Sequence, residues 1–395
     1  LTVANKIREA MERASWIRRM FEDGARMKQE MGEDKVFDFS LGNPCLDPPT
    51  AYLEALQEEF REPRRARYAY MPNAGYPETR AAVASTLREK RGTPFEAQHI
   101  VMTCGAAGGL NVVLKALLNP GDEVLILAPF FPEYLFYVGN HGGVDRIVET
   151  DRDFSLSLDE IEKAISPKTR AILVNSPNNP TGRMYDEPSL AQLGELLEEA
   201  GKRHGTDIYL ISDEPYGELL FDGAELPNLF SFYTRTILVN SYSKSLSIAG
   251  DRLGYIAVHP AGEDPETLVD GMVFCNRTLG FVNAPATPQQ IIRRTSGIYV
   301  GAGEYEKRRD LLCQGLQEAG YQFTKPEGAF YLFPESPAPE EIPFVQELLE
   351  EGVLVVPGTG FGRSGYFRIA YCVEEKVIEN ALPVFDRVLR RHRTG

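Results

Sequence analysis

Residues 236–252 read TILVNSYSKSLSIAGDR. The run 237–240 is apolar and ends in polar residues, the pattern of a buried strand that opens into a loop. The loop at once delivers two hydroxyls and a cation, Ser241, Ser243 and Lys244, with Arg252 a short way beyond. The same construction recurs along the chain, with short apolar runs at 100–103, 124–127, 171–175, 208–212 and 253–258. Helical segments such as 110–118 and 190–204 separate most of them. Continuous apolar strands joined by helices imply an α/β fold, a mostly parallel sheet with helices on both faces. In such a sheet ligands collect at the carboxyl ends of the strands.

What stands just after each run is chemically loaded. Residues 100–103 lead into Cys104-Gly105-Ala106-Ala107-Gly108-Gly109, which opens a helix. Small residues there let backbone N–H groups approach a phosphate, and a helix N-terminus favours its charge. Residues 124–127 lead into APFFPEY, 171–175 into SPNNPTG, 208–212 into Asp213-Glu214-Pro215-Tyr216 and 237–240 into Lys244. One edge of one sheet therefore gathers a phosphate cradle, an aromatic, an amide, a carboxylate, a phenol and a lysine.

Outside this core the pattern differs. Residues 1–31 read as an amphipathic arm, helical around 15–29; 36–41 alternate, and LGNPCLDPPT breaks the chain before a helix at 51–60. YAYMPNAGYPETR, 68–80, is a turn-rich loop followed by a helix to Arg91. Beyond about Asn283 the parallel-sheet pattern stops: a long helix over 288–316, strands at 322–324, 329–333, 354–356 and 366–370, a helix at 344–351 and a closing helix to Arg391 suggest a smaller α+β domain. The expected division is an arm and part of the small domain at 1–45, a large domain at 46–283 and a small C-terminal domain at 284–395.

A chain of 395 residues with 43% hydrophobic and 25% charged residues is globular rather than disordered. A net charge of -15 argues against nucleic acid as a partner, because a duplex binder needs clustered Lys and Arg. The five cysteines are scattered, without CxxC spacing, and point to a reducing, cytoplasmic setting. The N-terminal segment lacks a continuous apolar core, so neither a signal peptide nor a membrane span is expected. Asn276-Arg277-Thr278 fits a glycosylation acceptor by chance. Residues 358–365 are glycine-rich but lack the helix and acidic residue of a dinucleotide fingerprint, and read as a turn leading to Arg368. Histidines 99, 141, 204, 259 and 392 are dispersed, and no metal is expected.

Taken together in order, Tyr70 to Gly75, Gly105 to Ala107, NSPNNPTG, DEPY, SYSKSLSIAGDRLG and FRIA resemble the aminotransferases of fold type I, the class I/II family related to aspartate aminotransferase. The resemblance covers nearly the whole chain. It implies a seven-stranded, mostly parallel large-domain sheet, pyridoxal 5′-phosphate as cofactor, and an amino group passing from an L-amino acid to a 2-oxo acid. It implies that Lys244 carries the cofactor as a Schiff base and then moves the substrate's Cα proton. Asp213 would pair with the pyridine nitrogen, and Tyr216 and Asn179 would hydrogen-bond the phenolic oxygen. Phe131 would stack on the ring, with Phe130 the competing choice. Backbone from Gly105 through Ala106 to Ala107, the hydroxyls of Ser241 and Ser243, and Arg252 would hold the phosphate. Tyr70 would reach it from a second subunit, implying a homodimer with shared sites, and Tyr68 lies close by as an alternative. Arg368 would clamp the substrate α-carboxylate, a bidentate task that suits a guanidinium, with Gly42 and Asn179 lining the same place.

One departure bears on the substrate. Some aspartate-specific relatives carry a basic residue where this chain has Ala107, so aspartate is in doubt as donor unless Arg277 or an arginine of the arm substitutes. Two further readings share these residues: a C–S lyase on the same cofactor, similar to cystathionine β-lyase, and a cofactor-binding regulator. The regulator would need a DNA-binding domain ahead of this fold, and only about thirty residues precede it.

Overall fold

The computed structural model describes residues 2–13, 27, 29, 32, 35–61, 67, 69–338 and 340–393. The first short strand, β1 (Phe37–Asp38), belongs to the smaller body described below. Seven strands then form the large sheet: β2 (Ile100–Thr103), β3 (Glu123–Ala128), β4 (Val144–Glu149), β5 (Thr169–Asn175), β6 (Tyr209–Asp213), β7 (Thr236–Ser241) and β8 (Gly254–Val258). Their order is β2-β8-β7-β6-β5-β3-β4. Only β8 runs against its neighbours β2 and β7; the remaining pairs are parallel.

The apolar runs are continuous because both faces are covered. On β3, Val124, Ile126 and Ala128 face one cluster, which includes Leu110 and Val113 of the helix Gly105–Leu117. Leu125 and Leu127 face the other, with Leu190, Leu193 and Leu197 of the helix Glu187–His204. That is the two-residue period of a strand, with each face sealed by a helix. Full burial of each such aliphatic side chain contributes about 1.5–3 kcal/mol, so this sheet is the rigid part on which a site can be mounted.

The smaller body takes its chain from both ends. β1 pairs in parallel with β10 (Val353–Leu354), and β9 (Tyr331–Leu332), β11 (Val356–Pro357) and β12 (Phe367–Ala370) form a three-stranded antiparallel sheet in the order β11-β12-β9. Phe39, Tyr305, Leu312, Phe330, Phe344, Phe367 and Phe385 pack its core, with the helices Ala302–Ala319, Glu341–Glu350 and Glu375–Arg393 around it. Tyr216, Leu219 and Phe221 reach into this core from just beyond β6.

Three expectations need amendment, and a fourth lies outside the described residues. The helix expected over 288–316 is two, Ala286–Thr295 and Ala302–Ala319, parted at Gly297, whose φ of +84° ends the first. Residues 322–324 form no strand. The apolar runs account for six large-sheet strands; the seventh, β4, lies at the sheet edge with Val144 and Ile147 exposed and Asp145 and Arg146 between them. The arm helix expected at 15–29 lies outside the described residues apart from 27 and 29, and the described helix there is Asn5–Arg13.

Candidate active site

Parallel strands end together, so their carboxyl ends place unrelated loops side by side. Asn175 at the end of β5 is in register with Asp213 at the end of β6, and Asp213 with Val239 of β7. Beyond these ends lies a cavity of about 300 Å³. It brings together Gly42, Ala106, Ala107, Phe131, Asn179, Asp213, Tyr216, Ser241, Ser243, Lys244, Arg252 and Arg368.

Lys244 lies in the short helix Tyr242–Ser245 directly after β7, and its Nζ donates to the Gly42 carbonyl at 2.6 Å. Burial holds its pKa down at about 8, because desolvation penalises the ammonium. An amine with that pKa supplies an appreciable neutral fraction near neutrality, which a nucleophile or base requires.

Asp213 is 5% exposed. Its Oδ2 accepts from the Tyr134 hydroxyl at 2.5 Å, and its Oδ1 is buried without a partner among the described residues. Desolvation pushes its pKa up to about 7, a shift the Tyr134 hydrogen bond partly opposes. The Asn175 amide steadies this corner, donating to the Asp213 carbonyl at 2.8 Å and accepting from the Asn179 N–H at 2.7 Å.

Arg368, on β12, is 4% exposed. Nη1 donates to Asn179 Oδ1 at 3.1 Å and Nη2 to the Ser40 carbonyl at 2.5 Å, while Nε is buried without a partner among the described residues. Its guanidinium lies between the rings of Tyr331 and Phe361, at 4.8 Å and 4.6 Å from their centroids. Tyr331 and Tyr216 share a hydrogen bond of 2.8 Å between their hydroxyls. Gly42 is fixed by this arrangement, because a Cβ there would stand 1.9 Å from the Tyr331 hydroxyl oxygen.

At the end of β2, Gly105 has a φ of +70°, and a Cβ on it would meet Arg252 Nη2 at 3.0 Å. Arg252 itself sits at φ +54°, which costs a non-glycine residue roughly 1–2 kcal/mol, and its Nη1 donates to the Ala249 carbonyl at 3.0 Å. Among the described residues the hydroxyls of Ser241 and Ser243 make no hydrogen bond, so this cradle holds a guanidinium and two free hydroxyls together.

Phe131 lines the cavity, whereas Phe130 is buried in the sheet core against Gly362, which decides between the two for wall position. Tyr70 is outside the cavity and 90% exposed, and Tyr68 lies outside the described residues. Arg277 stands over the Phe274 ring at 5.3 Å and is not among the lining residues. The sequence reading passed over Tyr134, Asn175, Glu133, Tyr137 and Tyr331, all lining residues. The first four stand in or just after the quoted APFFPEY and NSPNNPTG motifs, so the signal was present; Tyr331 arrives from a distant strand and had none.

A lysine of lowered pKa, a buried carboxylate with one open oxygen, a cationic cradle beside a helix N-terminus and a buried arginine with one open N–H fit the donor and acceptor set of pyridoxal phosphate and a carboxylate substrate. With the sheet order above, they define a pyridoxal-phosphate enzyme of fold type I. The family model for aminotransferase class I and II matches residues 34–385, and the chain belongs to that family. It is 34% identical over 363 residues to the aspartate/prephenate aminotransferase of Thermus thermophilus, covering 89% of this chain and 90% of that one. An aminotransferase structure from Eubacterium rectale superposes with a TM-score of 0.96 at 35% identity, covering 99% of both chains. The Thermus thermophilus aspartate aminotransferase with maleate superposes with a TM-score of 0.84 at 30% identity, over 94% of this chain and 96% of that one. The protein is thus a pyridoxal-phosphate-dependent transaminase acting on amino and 2-oxo acids, and neither the lyase nor the regulator reading is favoured.

Proposed function

We propose that Lys244, Asp213, Asn179, Tyr216, Ser241, Ser243, Arg252 and the backbone from Gly105 to Ala107 hold the cofactor, with Phe131 against its ring, and that Arg368, Asn179 and Gly42 receive the substrate α-carboxylate. Two buried atoms without partners among the described residues carry this reading: Asp213 Oδ1, an acceptor, and Arg368 Nε, a donor, both in side chains that line one cavity with Lys244. A buried polar atom left unpaired costs roughly 1–3 kcal/mol, and a bound cation and carboxylate relieve both.

Pyridoxal phosphate, when bound, supplies the carbonyl that captures the amino group and the ring that accepts the electron pair left on Cα. The chain does the rest. Arg368 orients the amino acid by its carboxylate, and Lys244 Nζ takes and returns the proton at Cα. The Asp213 carboxylate holds a positive charge at the ring nitrogen, and the Tyr216 hydroxyl, linked to Tyr331, donates toward the phenolic oxygen.

The exposed Tyr70 completes the phosphate site of a second copy of the chain, which makes the enzyme a homodimer; exposed Leu53, Phe60 and Phe274 supply apolar surface for such an interface. All five cysteines are free, which suits a reducing cytoplasm. The same reading divides the chain into an arm at 1–45, a cofactor-binding domain at 46–283 and a small domain at 284–395.

Addition of an L-amino acid to the holoenzyme should convert the visible absorbance of the bound aldehyde to that of the amine form, and a 2-oxo acid should reverse it. Persistent aldehyde absorbance with release of pyruvate and ammonia would overturn the transamination assignment. Lys244→Ala should abolish both turnover and the lysine-bound absorbance; turnover at the wild-type rate would remove Lys244 from the chemistry. The donor is less constrained: the Thermus thermophilus relative is named for aspartate and prephenate, yet Ala107 leaves no cation at the position that would attract a second carboxylate.

A further inference from the structure

Five Asp, Glu, Lys or Arg side chains line the cavity: Lys244, Arg252, Arg368, Asp213 and Glu133. The cofactor and the α-carboxylate account for the first four. Glu133 is left over.

Its position is set by two helices. Glu133 opens the helix Glu133–Asn140, and Tyr137, one turn further along the same face, lines the cavity with it. Ala107 and Leu110 of the helix Gly105–Leu117 line the same cavity. Among the described residues the Glu133 carboxylate makes no hydrogen bond and no ion pair. Burial pushes its pKa up, and among the described residues no neighbouring cation offsets that burial. An acid in the first turn of a helix gains about 0.3–1 kcal/mol from the helix dipole, but it gains this equally well when turned to open solvent. The dipole therefore explains an acid in this turn and not a half-buried one in the wall of an active site.

We infer that Glu133 is a specificity-determining residue that faces the side chain of the amino donor and selects one ending in a cation, an ω-amine or a guanidinium, against one ending in a second carboxylate. The inference rests on the transaminase reading and on the roles given above to Arg368 and Asp213. A bound cation supplies the charge partner that Glu133 lacks, and a bound carboxylate would be driven against it with no cation at Ala107 to compensate. Charge pairs excluded from water discriminate by tenfold or more, and the discrimination appears in kcat/KM ratios between donors.

The test is a half-reaction series on the holoenzyme, following cofactor absorbance with L-ornithine, L-lysine, L-arginine, L-alanine and L-aspartate. Basic donors should exceed aspartate by about tenfold to a hundredfold in the rate at limiting donor. Glu133→Gln should reduce the basic-to-alanine ratio by about tenfold, and Glu133→Lys should invert the basic-to-aspartate ratio. A second readout uses unreactive acids: 4-guanidinobutanoate should bind more tightly than glutarate, measured by thermal shift, and Glu133→Gln should erase the difference. Preference for aspartate in the unaltered enzyme, or a basic-to-alanine ratio untouched by Glu133→Gln, overturns the inference while leaving transamination intact. Failure of every donor, alanine included, overturns the transaminase reading itself and the inference with it.

Discussion

Arg368 and Asp213 are buried to nearly the same degree, 4% and 5% exposed, and each keeps one polar atom without a partner among the described residues, yet the chain treats their charges in opposite ways. Arg368 is surrounded before any substrate arrives: a carbonyl from the segment after β1, an amide from the loop after β5, and aromatic faces from β9 and from the turn before β12. Among the described residues, the Asp213 side chain has a single hydrogen bond, from Tyr134. Burial lowers the pKa of the guanidinium, but arginine stays protonated in proteins, so that cation is permanent. The carboxylate, pushed up to about 7, is charged near neutrality only in part. On the roles proposed above, the substrate end of the site is therefore prepared in advance, whereas the cofactor end takes its full charge when a cation arrives to meet it.

The largest effect should come from breaking the prepared end. Arg368→Leu removes the guanidinium and leaves the Ser40 carbonyl and Asn179 Oδ1 unpaired. Losing one partner of a buried, hydrogen-bonded charge pair costs about 2–5 kcal/mol, so KM for donor and acceptor should rise by about a hundredfold or more. Cofactor affinity should change far less. Cofactor loss with an unchanged KM would take Arg368 out of the substrate site.

A smaller effect probes the other end. Tyr134→Phe deletes the hydroxyl that donates to Asp213 Oδ2, a hydrogen bond to a charged group that contributes about 1.5–3 kcal/mol. The Asp213 carboxyl should then titrate still higher, because the hydrogen bond is what holds it down. Cofactor binding, followed by fluorescence titration of the cofactor-free protein at neutral pH, should weaken by about tenfold. A dissociation constant equal to the parent's would mean that Tyr134 does no more than fill space.

These two ends were not equally legible in the sequence. Asp213 could be read because its strand is apolar on both faces and the chemistry follows immediately in the chain; the same holds for Asn179, Ser241, Ser243 and Lys244. Arg368 could be named, but its surroundings could not, since Ser40, Tyr331 and Phe361 meet it only through the packing of the small body. Gly42 was readable as a residue of this cavity, while the reason for a glycine there, the Tyr331 hydroxyl, was not. The same physics explains the secondary-structure misses. β4 is an exposed edge strand and carries no apolar run, and the break at Gly297 is followed by Ile298, Tyr299 and Val300, which kept the apolar content of a helix through a segment that is not one.

The smallest predicted effect isolates the contrast without any ligand. In the cofactor-free protein Asp213 titrates at about 7, against roughly 3.9 when unfolded. A carboxyl whose folded pKa is raised binds more protons folded than unfolded between those values, so its contribution to stability declines as pH rises across that window and is fully lost above it. Lys244, held down at about 8, acts in the opposite sense, but its window runs upward from about 8 to the unfolded value of roughly 10.4 and does not overlap. Arg368 stays charged throughout and contributes no slope. Asp213→Asn should therefore raise the melting temperature of the cofactor-free protein relative to the parent at pH 8 but not at pH 4, with a difference on the order of a few degrees. Arg368→Leu, measured the same way, should shift the melting temperature by the same amount at both values. A flat Asp213→Asn difference across pH 4 to 8 would mean that the buried carboxylate finds a cation in the free protein, and that the two ends of the site are prepared alike.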